Sequence, residues 1–161
     1  MTLTTPMAEK KITNDLDTDY RLVGIASALK EYKVCHHLNQ LLGCDFRKLP
    51  ALVFEPKDRT RKTEFSVFKA EDADKNTFVV FTNKNMGEFL LHEISNFDYI
   101  VQLRGKFTND DVLNLMDGIR KFPEVVMCLE VPLKKIKSKE RLSYEEEKEV
   151  HKLLTPKKTR N

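Results

Sequence analysis

Four side chains capable of acid–base work fall within eight positions of one another: His92, Glu93, Asp98 and Tyr99. They sit in the stretch from Glu88 to Gly105, which ends in a strand-like apolar run from Tyr99 to Leu103. A histidine beside a carboxylate can share a proton, and a tyrosine hydroxyl can orient a substrate. A blander reading fits the same residues. Glu93 and Asp98 brace a turn, Tyr99 opens a core strand, and His92 faces water. Acid–base catalysis needs convergent geometry, which linear spacing does not supply. We favour the bland reading and keep Glu93, Asp98 and Tyr99 as the positions that matter most, with no catalytic residue assigned.

A second cluster, Cys35-His36-His37 with Cys44, resembles a metal set at first sight. Zinc needs three or four such ligands converging on one ion. On a helix, neighbouring residues point about 100° apart, so 35, 36 and 37 cannot share one ion. Cys35 is therefore expected in the core with both histidines at the surface, and no metal or cofactor is assigned. No dinucleotide fingerprint, phosphate-binding loop or serine nucleophile elbow occurs, and five glycines are few for a nucleotide enzyme.

Charge points away from a nucleic-acid domain. From Lys134 onward the chain carries 10 of its 28 Lys/Arg and 5 of its 25 Asp/Glu, which leaves residues 1–133 at net −2. A nucleic-acid module more often carries a basic face on the domain itself. Aromatics are not interleaved with the basic segment, so base stacking is not supported. The odd count of three cysteines argues for a reducing, cytoplasmic setting without a disulfide framework. No apolar run reaches the ~18 residues of a membrane span, and the start lacks a signal-peptide core.

The elements that must position the Glu88–Gly105 stretch follow from periodicity. Residues 1–9 read as a loose tail and 10–15 as a short edge strand. Asp17, Thr18 and Asp19 suit a helix start, and Leu22, Ile25, Ala26 and Leu29 follow at helical spacing. Val34, Cys35, Leu38, Leu41 and Leu42 form a second stripe, rotated from the first, so 18–42 reads as two helices or one bent one that ends at Gly43. Residues 46–56 read as a connection interrupted by Pro50 and Pro56, and 57–62 as a charged loop. Alternation over Phe65–Lys69 and the β-branched run Thr77–Thr82, joined by a polar turn, predict an antiparallel hairpin. Asp98 to Leu103 reads as a strand buried on both faces. Thr108 and Asp111 stand at capping-box spacing before the single stripe Val112, Leu115, Met116, Ile119 and Phe122. Gly118 inside that helix suggests close approach to the sheet. Glu124–Val131 reads as a last strand, which Pro132 either ends or places at an edge. Ile136 and Leu142 are candidate anchors in the basic segment, and 143–154 reads as an exposed helix before a basic end.

One set of residues resembles a known family. Asp19-Tyr20, Leu22-Val23-Gly24-Ile25, Leu29-Lys30, Tyr32-Lys33-Val34-Cys35, Leu38-Asn39, Phe65-Ser66-Val67-Phe68, Glu93, Phe97-Asp98-Tyr99, Gly105 and Ser138-Lys139-Glu140 resemble the small bacterial proteins of the IPExxxVDY family. The naming motif falls on Leu91 to Tyr99, where Glu93, Asp98 and Tyr99 match. Leu91 and Phe97 are apolar replacements, and His92 stands where the family has proline, so His92 is not a family position. The resemblance spans roughly residues 10–142. The family carries no assigned activity, so the likeness implies a one-domain cytoplasmic protein and adds no mechanism.

These readings converge on an α+β domain over 10–142, an antiparallel sheet of four to five strands covered mainly on one face by helices. A tail over 1–9 and a charged extension over 143–161 flank it. The expected function is a non-enzymatic protein- or ligand-binding module, with a homodimer through a sheet edge compatible with it. A small enzyme using Glu93 and Asp98 is the first alternative, and RNA binding through the basic C-terminal segment is the second.

Overall fold

The structure is a computed structural model that describes residues 20–55 and 62–144. The strand expected over 10–15, the tail over 1–9 and the helix expected over 143–154 lie wholly or almost wholly outside those residues. Strands β1 (Arg21–Ser27), β2 (Arg47–Phe54), β3 (Thr63–Glu71), β4 (Thr77–Thr82), β7 (Tyr99–Arg104) and β8 (Val125–Val131) form one sheet in the order β2-β3-β4-β7-β1-β8. Every pairing in it is antiparallel. A two-residue ribbon, β5 (Lys84–Asn85) with β6 (Glu88–Phe89), and helices α1 (Glu31–Leu42) and α2 (Asn109–Arg120) complete the elements. The α+β class holds, with six strands in the main sheet where four to five were expected.

Two corrections account for the extra strands. The expected first helix of the 18–42 pair is β1, which lies between β7 and β8 in the sheet. Leu22, Val23 and Ile25 are all fully buried, on opposite faces of the strand. A short apolar run buried on both sides satisfies helix spacing and strand geometry equally, and the partner strands decide. Within the segment 46–56, read as a connection in which 51–54 either pairs briefly or packs, residues Arg47–Phe54 form β2. Its Pro50 sits within the register shift between Leu49 and Leu52, on an edge strand that tolerates a missing N–H.

Local signals held where the determinants are local. Thr108 Oγ1 accepts from the Asp111 N–H at 3.1 Å while the Asp111 carboxylate accepts from the Thr108 N–H at 2.9 Å, a complete capping box. Gly43 ends α1 in the left-handed conformation at φ 64°. Gly118 does mark a close approach, but to the other helix rather than the sheet. A Cβ there would lie 2.7 Å from Leu41 of α1.

The sheet has two cores. On one face Val34, Cys35 and Leu38 of α1 and Val112, Leu115 and Ile119 of α2 pack against Val23, Val80, Val101 and Cys128. Full burial of each such aliphatic side chain stabilises the fold by roughly 1.5–3 kcal/mol. The other face carries no helix among the described residues. It is covered by the 90–97 loop, through Leu90, Leu91, Ile94 and Phe97, and by a strap over 132–144, through Ile136 and Leu142. The loop contains Leu91, Glu93 and Phe97 of the motif stretch, so that part helps build the lid of the second core, whereas Tyr99 opens β7 and packs in the first. No helix of the described residues is long and apolar enough to cross a membrane.

Candidate functional site

The loop between β6 and β7 is shaped by a residue that sequence reasoning passed over. Asn83 is fully buried just after β4. Its side-chain Nδ2 donates to the carbonyls of Ile94 (3.1 Å) and Phe97 (2.9 Å), and its Oδ1 accepts from the Leu91 N–H at 2.7 Å. Its own N–H donates to the Asp98 carbonyl, and its carbonyl accepts from Leu90. One amide therefore satisfies backbone groups at both ends of a 3-10 turn, His92–Ile94; without it the Leu91 N–H and the Phe97 carbonyl would be buried without partners, and the Ile94 carbonyl would keep only the Phe97 N–H. The only signal in the sequence was an Asn at a hairpin exit.

Glu93 projects from that turn toward the strap. Its carboxylate accepts from the Lys137 N–H at 2.9 Å, from the Ser138 N–H at 3.1 Å and from the Ser138 hydroxyl at 2.9 and 3.1 Å. Desolvation raises the Glu93 pKa, but these bonds and one from its own backbone outweigh it and hold the carboxyl below the ordinary carboxylate value. Glu93 and Ser138, both carried by the family resemblance, thus meet across 45 residues.

Asp98 and Tyr99 turn the other way, toward the link between β1 and α1. Asp98 Oδ2 accepts from the Ser27 N–H at 2.8 Å, and Oδ1 pairs with Lys84 Nζ at 3.0 Å. Ser27 Oγ in turn accepts from the Leu29 N–H at 3.0 Å. The Tyr99 hydroxyl donates to the Leu29 carbonyl. Burial, then the nearby Glu31 and Asp98 carboxylates and Cys35, push the Tyr99 phenol up to about 12. A phenol held neutral and bonded to a carbonyl exchanges no proton near pH 7.

The three motif residues therefore do not converge. Each takes up backbone groups of a different segment: Glu93 the strap, Asp98 the end of β1, Tyr99 the entry to α1. His92 is exposed and set edge-on to Phe89. Among the described residues no three His, Cys, Asp or Glu side chains are grouped to hold a metal ion. Cys35 is buried in the helical layer and its thiol is pushed up to about 12, chiefly by desolvation, while His36 is exposed and His37 stacks on Phe122 at 5.0 Å.

Removing the Glu93 carboxylate is expected to loosen the strap while leaving the helical layer intact. In Glu93→Ala, amide exchange over 133–142 should rise at least about tenfold, with the protection of α2 unchanged. The folded Glu93 pKa lies below its unfolded value, so its contribution is complete above the ordinary carboxylate range and is lost as pH falls through the lower folded value. The same exchange difference should therefore appear in the wild type on acidification below about 4.5. Equal strap protection in variant and wild type at pH 7 would sink the assignment.

A concave site lies elsewhere. A groove of about 370 Å³ opens between the end of α1, the β3–β4 hairpin and the start of α2. Leu42, Phe78, Phe107 and Leu115 contribute apolar surface, and Asn76, Lys106, Asp111 and Asn114 contribute polar groups. Its shape depends on Asp72, whose carboxylate accepts from the N–H groups of Asp74 and Asn76, both at 2.9 Å. Asn76 Oδ1 then accepts from the Lys106 N–H at 3.2 Å, fixing the hairpin beside the strand-to-helix link. Leu41, Leu42, Asp111 and Leu115 were read from sequence as stripe or cap positions, and no lining residue was read as part of a site. Its parts come from three separate stretches that nothing in the sequence joins.

No family model matches the chain, and no curated protein matches it.

Proposed function

We propose that the protein is a non-enzymatic module that binds a small amphipathic ligand in the groove beside Lys106. The observation that carries this reading is the groove itself: an apolar floor with a few polar groups at its rim, within the ~300–1,000 Å³ range of ligand sites. The likeness of Leu91–Tyr99 to the IPExxxVDY motif fits the same reading, and with it a bacterial, cytoplasmic protein. In this reading the matching residues preserve architecture, since Glu93, Asp98 and Tyr99 are spent on backbone groups. The same bonds weigh against an enzyme built on Glu93 and Asp98, because neither carboxylate lines the groove. A homodimer through a sheet edge is weakened by Arg120, whose Nη2 donates to the Cys128 carbonyl of edge strand β8 at 2.7 Å.

A fragment screen followed by amide chemical shifts tests the proposal. Fragments pairing an aromatic ring with a polar substituent should move the amides of Leu42, Lys106 and Asn114 together. Asn114→Arg, at an exposed rim position, should weaken the best fragment at least about tenfold, or 1.4 kcal/mol, without lowering thermal stability. Shifts that cluster elsewhere, or an Asn114→Arg variant that binds equally well, would reject the groove.

A further inference from the structure

The basic segment at the end of the 10–142 domain carries the two candidate anchors read from its sequence. Ile136 and Leu142 are 1% and 3% exposed, set into the second core. Between them Glu93 holds the backbone at Lys137 and Ser138, and the Arg141 guanidinium lies 4.2 Å from the Phe54 ring centroid. Short 3-10 turns, Leu133–Lys135 and Lys139–Leu142, frame the segment. The strap is thus part of the folded domain. Its outward side carries Lys134, Lys135 and Lys137, all exposed, and the half-exposed Lys139. No described carboxylate forms an ion pair with these four. The basic excess of the chain therefore includes a cationic face on the domain itself.

We propose that this strap face binds the phosphate backbone of RNA. Its chemistry selects that partner over two others. A protein interface concentrates aromatic and apolar side chains at its centre and is depleted in lysine. The strap does the reverse, burying Ile136 and Leu142 and exposing Lys134, Lys135 and Lys137, with Glu140 as the exposed carboxylate among its described residues. Stable membrane anchoring needs an apolar face or lipid chain beside the basic charge, and the apolar side of this segment is already used against the sheet. Lysine is a point charge suited to phosphate, and phosphate contacts carry no sequence information, so binding is independent of sequence. Lys134, Lys135, Lys137 and Lys139 fall within six residues, so their charges are concentrated on one short segment that neighbouring phosphates can share.

The full-length protein should bind a labelled single-stranded RNA of about 20 nucleotides, followed by anisotropy at about 50 mM salt. Three phosphate contacts predict a slope of about −2 in log K against log salt, at ~0.7 per contact for single strands. The triple variant Lys134→Glu, Lys135→Glu, Lys137→Glu keeps every residue from 145 to 161. It should lose at least about tenfold in affinity and most of the salt slope, with an unchanged melting temperature. Four outcomes would overturn the proposal. They are no binding at that salt, equal binding by the triple variant, tighter binding to anionic phospholipid vesicles, and tighter binding to a poly-glutamate peptide. The groove plays no part in this measurement, so its success or failure is read separately.

Discussion

Asn83→Ala is expected to destabilise the fold by about 3–5 kcal/mol, the largest loss for any single polar side chain described. The buried amide bonds three backbone groups, the Leu91 N–H and the carbonyls of Ile94 and Phe97. Truncation strands the Leu91 N–H and the Phe97 carbonyl inside the second core and leaves the Ile94 carbonyl with the Phe97 N–H alone; each buried polar group left unpaired costs roughly 1–3 kcal/mol. The loss spreads because the loop ordered by Asn83 carries Leu90, Leu91, Ile94 and Phe97, all buried against the sheet. Asn83→Asp should be at least as damaging, since a carboxylate would face two carbonyl oxygens and would have to take up a proton to donate to either. Urea unfolding followed by circular dichroism measures both. Asn85→Ala is the control. Its side chain also donates to a backbone carbonyl, that of Glu64 at 2.7 Å, but in solvent, where loss costs under about 1 kcal/mol. Equal midpoints for the Asn83→Ala and Asn85→Ala proteins would show that the loop does not depend on the buried amide.

The contrast between these two asparagines explains what could be read from the sequence. Both stand in the same polar stretch after β4, and nothing local separates them. Burial separates them, and burial depends on strands and loops far along the chain. Features closed within a few residues were legible. The α2 cap needed only Thr108 and Asp111, and the β3–β4 hairpin needed two strand-like runs and a polar turn. Features closed over long distances were not. β1 satisfied helix spacing until β7 and β8 flanked it, and the Arg21–Glu130 ion pair that ties β1 to β8 spans 109 residues. The motif fell between these cases. That Glu93, Asp98 and Tyr99 enter a buried strand from a turn was readable. Their partners were not, because Ser138, Ser27 and Leu29 lie 45, 71 and 70 residues away. The groove was least legible of all, since it is a gap between three elements.

Gly24→Ala should cost about 2–3 kcal/mol, although alanine ordinarily suits a strand better than glycine. Gly24 lies in β1, opposite Ile100 on one side and Leu129 on the other. A Cβ at this position would fall 2.5, 2.6 and 2.8 Å from three atoms of the Phe97 ring. The ring must then retreat by about 1 Å to reach the ~3.5–4.0 Å of ordinary carbon contact. Its backbone is not free to follow. The Phe97 N–H donates to Ile94, its carbonyl accepts from Asn83, and the next N–H donates to Ile25 within β1. The added methyl therefore forces either an off-rotamer ring or a break in that set of bonds. Phe97→Ala alone should cost about 3–5 kcal/mol by opening a cavity over the strand. The double variant separates a steric clash from a general weakness of β1. If the methyl clashes with the ring, removing the ring relieves it and the methyl partly fills the cavity. The double variant should then be no less stable than Phe97→Ala alone, a coupling of about 2 kcal/mol in the cycle. Simple addition of the two losses would mean that Gly24 serves β1 for some reason other than seating Phe97.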